Sequence, residues 1–187
     1  MSRRRYQFDP PERFVAGTVG RPGDRTFFLQ ARDGPRVVSI VLEKVQVAVL
    51  ADRLGELLSE LERRGVAAAE AARATAADDT GPLDEPLNEA FRAGSLTLGW
   101  DGEAERVLVE ARAQSEDGEE MDPDEDDDED DDGPDLLRVL LSPEAARTFV
   151  MRAARVVAAG RPPCPLCGAP LDPQGHICPR RNGHYVN

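Results

Sequence analysis

The sequence predicts an α+β fold, built from a duplicated βββα unit with antiparallel sheets and two packing helices, plus a small C-terminal tail that resembles a zinc ribbon. Three observations predict it. Three short β-rich stretches precede a helical pattern twice along the chain. A frame Phe-x-Ala-Gly-Ser/Thr begins at Phe14 and again at Phe91. All three cysteines lie between residues 164 and 178.

The first βββα half is predicted over residues 1–65. Its strands are expected at residues 14–20, 26–32 and 37–42, and short turns rich in Gly, Pro and Asp separate them. From about residue 45 to residue 64 the apolar spacing becomes helical, and Gly65 is a typical stop signal. Three strands joined by short turns indicate an antiparallel meander that is followed by a helix.

A linker over residues 66–86 precedes the second half, which is predicted over residues 87–160. The Phe-x-Ala-Gly frame recurs after 77 residues, and the last strand-to-helix step (Leu42 and Leu141) recurs after 99. An inserted acidic loop accounts for the difference. Ser142 is expected to cap the second helix, with Pro143 at its first position. The two units could form one six-stranded sheet or two packed sheets, with both helices on one side.

The net charge of −13 comes almost entirely from one segment. The chain has 36 acidic and 23 basic residues, and fifteen of the acids lie between residues 116 and 135. The rest of the chain therefore carries 21 acids against 23 bases. Such a dense run of like charges has almost no apolar residue to bury, so residues 115–135 are expected to be a disordered, solvated loop.

The C-terminal tail, residues 161–187, carries the one motif with chemical specificity. Cys164 and Cys167 form a Cys-x-x-Cys pair, and Cys178 follows eleven residues later. Pro and Gly around such a pair favour a tight knuckle whose backbone N–H groups point at the thiolates. A structural zinc ion requires four ligands, so a histidine is expected to complete the set, and His176 or His184 could do so.

We therefore expect one structural zinc ion per chain. Redox-active or inert thiols are the alternatives, but thioredoxin-like pairs lie at a strand-to-helix junction and not in a Pro/Gly-rich tail. Four protein ligands would leave no open position for an activated water, so a catalytic zinc is not expected.

The chain resembles an actinobacterial family of conserved proteins, described as a repeat-containing domain of unknown function. The resemblance rests on residues 8–20, on residues 27–31 and on the ending from Cys164 to Gly183, and it covers nearly the whole chain. It implies no assigned reaction and agrees with an internal repeat. We prefer His176 as the fourth metal ligand and retain His184 as the alternative.

Three functions remain open. The first, which we favour, is a non-catalytic adaptor that docks a protein partner. The second is nucleic-acid binding through the arginines of the tail, Arg161, Arg180 and Arg181. The third is an enzyme that works in a groove between the halves, although no phosphate loop, Gly-x-Ser-x-Gly elbow or His-Glu-x-x-His helix occurs. No apolar stretch is long enough for a membrane span or signal peptide, so a cytoplasmic location is expected.

Overall fold

The computed structural model describes residues 3–114, 133–160, 164–168, 171 and 178. Within these residues the chain forms seven strands and three helices, and the predicted α+β class is confirmed. In chain order they are β1 (Arg5–Phe8), β2 (Arg13–Arg21), β3 (Asp24–Asp33), β4 (Arg36–Leu42), α1 (Lys44–Arg63), α2 (Ala67–Thr75), β5 (Glu89–Asp101), β6 (Arg106–Ala113), β7 (Leu136–Leu141) and α3 (Pro143–Ala158).

All seven described strands belong to one sheet, in the order β1-β7-β6-β5-β4-β3-β2. Strands β2 to β4 form one antiparallel meander, and β5 to β7 form a second. The parallel pairing of β4 with β5 joins the two meanders, so they make a single sheet and not two packed sheets. The short strand β1, which the sequence pattern did not predict, pairs in parallel with β7 at one edge.

The two long helices begin and end where local signals place them. Glu43 and Gln46 form a capping box at the start of α1, where the Glu43 N–H donates to Gln46 Oε1 at 2.8 Å. Gly65, at φ +75°, adopts the left-handed conformation just beyond its last turn. At the start of α3 the Ser142 hydroxyl accepts a hydrogen bond from the Ala145 N–H at 3.1 Å.

Helices α1 and α3 pack against each other and cover one face of the sheet. Their apolar stripes meet the alternate strand residues that point toward them, since successive side chains of a strand face opposite sides. At the centre of this core, Phe149 of α3 stacks on Phe14 of β2 with ring centroids 4.9 Å apart. The core therefore lies between the sheet and the helix pair.

The segment between α1 and β5 contains the helix α2 and then wraps around the sheet. Helix α2 buries Ala69 and Ala72 and packs on α1 and α3. The chain then passes the edge strand β2, where a Cβ atom on Gly17 would lie 2.7 Å from Leu83. Leu83 therefore lies against β2 at Gly17, on the face of the sheet opposite the helices.

The strand-strand-strand-helix order occurs in β2-β3-β4-α1 and again in β5-β6-β7-α3. The internal duplication that this order suggests stays a prediction. The acidic segment falls mainly on residues 115–132, outside the described residues, and the described chain resumes at Gly133 before β7. Among the described helices, none has the length and apolar character that crossing a membrane requires.

Candidate metal centre

The Cys-x-x-Cys pair of the tail forms a tight turn. The Gly168 N–H donates to the Cys164 carbonyl at 2.8 Å and closes the turn around Cys167. Gly168 has φ +75°, a backbone conformation that glycine adopts without a Cβ penalty. The chain therefore turns tightly after Cys167, and the expected N–H contacts with the cysteine sulfurs stay a prediction.

Cys178 joins this pair in space. The three Sγ atoms of Cys164, Cys167 and Cys178 all lie within 4.8 Å of one another, and those of Cys164 and Cys178 are 3.9 Å apart. A disulfide would require about 2.05 Å, so these two sulfurs are not bonded to each other. Cys164 and Cys178 are buried, whereas Cys167 is partly exposed.

The sulfur spacing suits a tetrahedral metal ion. With a metal–sulfur bond of about 2.3 Å, two sulfurs on a tetrahedron lie about 3.8 Å apart, close to the distance between Cys164 and Cys178. Three thiolates are a soft donor set that favours zinc over magnesium or calcium. The predicted histidine ligands His176 and His184 lie outside the described residues, so the described part of the tail offers three possible metal ligands.

A second cluster of chemically active side chains, which the sequence analysis did not predict, joins α3 to the connection after α2. Asp79 accepts hydrogen bonds from Arg13 Nε at 2.7 Å and from Arg152 Nη1 at 2.7 Å. Arg13 also pairs with Asp84 at 2.6 Å, and Arg152 donates to the Ala16 carbonyl at 2.7 Å. Together these groups hold the connection against the edge of the sheet.

Three members of this cluster, Asp79, Arg13 and Arg152, have shifted pKa values. The hydrogen bond from Arg13 lowers the pKa of Asp79 to about 2, even though burial acts in the opposite direction. The same contact raises the pKa of Arg13. Burial lowers the pKa of Arg152, which is 95% buried. The negative charge of Asp79 acts in the opposite direction. Each charged group named here forms a hydrogen bond or ion pair with another of them, as is typical of a network with a structural role.

No sequence signal identified this cluster. Arg152 and Asp79 are 73 residues apart, and an arginine within a helix ordinarily faces water. One clue was available, because Arg152 falls on the same helix stripe as Phe149 and Ala153, which are buried. A charged residue on an apolar stripe indicates a buried partner.

Polar residues near the strand ends connect neighbouring elements through hydrogen bonds and ion pairs. Gln30 Nε2 donates to Ser39 Oγ at 2.9 Å, and its Oε1 accepts from the Asp84 N–H at 2.7 Å. Gln46 donates to the Ala93 carbonyl at 3.2 Å, and Glu43 pairs with Arg92 at 3.0 Å. These contacts explain the polar residues structurally and point to no reaction.

A family model described as "Protein of unknown function (DUF3090)" matches residues 6–178. The match spans the sheet, the helices and all three cysteines of the candidate metal centre. Comparisons with curated proteins and with solved structures give no match.

Proposed function

The chain belongs to the DUF3090 family of proteins of unknown function, and we propose that it is a non-catalytic interaction protein whose C-terminal tail is folded by one structural zinc ion. The observation that carries this proposal is the convergence of three Sγ atoms within 4.8 Å of one another. The donor set then consists of Cys164, Cys167 and Cys178 with one histidine, His176 or His184.

The chemistry of the donors supports a structural role for the metal. Sites with three thiolates and one histidine are typical of zinc ribbons and fingers, whereas catalytic zinc keeps one coordination position for water. A tail of about 27 residues buries too little apolar surface to fold alone, and zinc ligation would supply the missing free energy. A reducing, cytoplasmic compartment would keep the thiolates available.

The knuckle also presents a surface for contact. Leu166, between the two cysteines of the pair, exposes 51% of its surface. Zinc would hold this apolar side chain in a fixed position instead of leaving it on a flexible segment, which lowers the entropic cost of binding a partner. This arrangement supports docking of a protein. The arginines proposed for nucleic-acid binding, Arg161, Arg180 and Arg181, lie outside the described residues.

Limited proteolysis tests the structural role of the metal. In the full chain, Cys167→Ser is expected to make the tail sensitive to subtilisin while the fragments over residues 5–114 and 133–158 remain resistant. Leu166→Ser is the matched control, because it changes the adjacent exposed residue of the same turn and leaves every thiolate in place. Equal resistance of the tail in Cys167→Ser and in the wild type would contradict the proposal.

A further inference from the structure

The two long helices occupy corresponding places in the two halves of the sheet. Helix α1 follows β4 directly, and α3 follows β7 directly. Leu50 lies eight residues after the end of β4, and Phe149 lies eight residues after the end of β7, so these two helix positions correspond. Both are buried, so the two helices present matching faces to the core. In the same register Arg53 corresponds to Arg152.

The space around the Arg152 side chain is filled by another segment of the chain. Its side chain is only 6% exposed. It donates to the Ala16 carbonyl of β2 at 2.7 Å, and also to the Asp79 carboxylate and the Gly81 carbonyl, each at 2.7 Å. The acidic segment that follows α2 therefore closes the space beside α3 and β2.

The corresponding space around the Arg53 side chain, in the other half of the sheet, is open to solvent. The Arg53 side chain is 68% exposed and pairs with Glu56 of its own helix at 2.9 Å. Beside it lies a cavity of about 400 Å³ between α1 and β5. The lining is mainly apolar and includes Val49, which is half exposed. We call this cavity the α1–β5 groove; its lining residues are Val49, Leu50, Arg53, Leu57, Leu96, Leu98 and Gly99.

We propose that the α1–β5 groove binds an acidic, partly apolar peptide segment of a partner protein, which presents a carboxylate to Arg53 as Asp79 does to Arg152. The proposal rests on the proposed role as an interaction protein and names a binding surface for it. Charge complementarity and the filled counterpart beside α3 both favour this occupant. A guanidinium beside a carboxylate forms a strong, directional pair, and the apolar walls would exclude water from it.

Two other occupants suit the groove less well. A single arginine in an apolar lining is a poor site for the phosphate backbone of a nucleic acid, which requires several cations. A second copy of the chain could offer its own residues 78–81. In each copy, however, Asp78 and Asp79 already pair with Arg155 and with Arg13 and Arg152.

Peptide titration monitored by NMR tests the proposal. The probe is a synthetic peptide of residues 66–87, which contains the segment that fills the counterpart site. It is titrated into the isotopically labelled full chain. Amide shifts are expected to change at residues 49–57 and 96–99. A control peptide with Asp78→Asn and Asp79→Asn is expected to bind about ten-fold more weakly, because it lacks the carboxylates that would pair with Arg53.

Variants of the full chain locate the contact. Arg53→Gln is expected to weaken binding of the acidic peptide about ten-fold, and Val49→Ser is expected to weaken binding of both peptides. Arg63→Gln is the matched control, because Arg63 is an exposed arginine of the same helix that pairs with Glu60, away from the groove. It is expected to bind as the wild type does.

Three results would overturn the proposal: no shift changes at millimolar peptide, changes located elsewhere, or equal binding by wild type and Arg53→Gln. A dimer in sedimentation that Val49→Asp dissociates would assign the groove to a second copy instead. The metal proposal and the groove proposal can fail independently of each other. Peptide binding is expected to persist in Cys164→Ser, and the zinc content is expected to be unchanged in Arg53→Gln.

Discussion

Replacing Asp79 by asparagine is expected to destabilise the sheet-and-helix domain by about 3 kcal/mol. The Asp79 carboxylate accepts two hydrogen bonds from Arg13, at 2.7 and 2.9 Å, and one from Arg152 at 2.7 Å. The two arginine side chains are only 15% and 6% exposed. Asparagine keeps the shape of the side chain but removes the negative charge that compensates these two cations.

The magnitude follows from two considerations. The pKa of Asp79 is about 2, whereas the ordinary value is 3.8; at about 1.4 kcal/mol per pKa unit, this difference corresponds to about 2 kcal/mol. Removing one partner of a buried ion pair typically costs about 3–5 kcal/mol. The lower end applies here, because Arg13 retains Asp84 and Arg152 retains three backbone carbonyls.

Urea unfolding of the full chain measures the loss. With a denaturant slope of about 2 kcal/mol per molar, a loss of about 3 kcal/mol lowers the midpoint by about 1.5 M. Asp78→Asn is the matched control. Its partner is Arg155, and both side chains are more than 40% exposed, so the expected loss is below about 0.5 kcal/mol. A loss under about 1 kcal/mol for Asp79→Asn, or equal losses for the two variants, would refute the reasoning.

Four further outcomes are expected from the same unfolding measurement. The contribution of Asp79 is fully present above pH 3.8 and is lost as pH falls toward 2, so the difference between wild type and Asp79→Asn should shrink over that range; a constant difference would contradict it. Gly17→Ala should cost about 1–3 kcal/mol, because its Cβ would lie 2.7 Å from Leu83. Gly55→Ala should instead add about 0.5–1 kcal/mol, because the nearest atom, on Val150, is 3.8 Å away. Ser142→Ala should cost about 1 kcal/mol by removing the cap of α3, and no loss would show that the cap is dispensable.

Six of the seven strands in the described part of the chain, and both long helices, could be predicted from the sequence, because their signals are local. Apolar runs between Gly- and Pro-containing turns mark β2 to β7, Gly65 marks the end of α1, and the cap at Ser142 marks the start of α3. Strand β1 was missed, since its four residues alternate weakly and form a strand by pairing with β7. Helix α2 was missed too, because nine Ala-rich residues beside a Pro-containing acidic stretch have the pattern of a linker.

The candidate metal centre was predictable in part. The sequence predicts that Cys164, Cys167 and Cys178 bind one metal ion, and the structure brings their three Sγ atoms within 4.8 Å of one another. The choice between His176 and His184 stays a prediction, as does the internal duplication. The buried Arg152 and the open position of Arg53 could not be predicted, because their difference depends on where the chain after α2 lies.

The zinc content of the full chain tests the central claim most directly. Native mass spectrometry is expected to show one zinc per wild-type chain and none in Cys164→Ser, Cys167→Ser or Cys178→Ser. It should also show loss of zinc in one of His176→Ala and His184→Ala, which names the fourth ligand. Leu166→Ser should keep its zinc. A wild-type chain without zinc, or zinc retained after all three cysteines are replaced, would contradict the account.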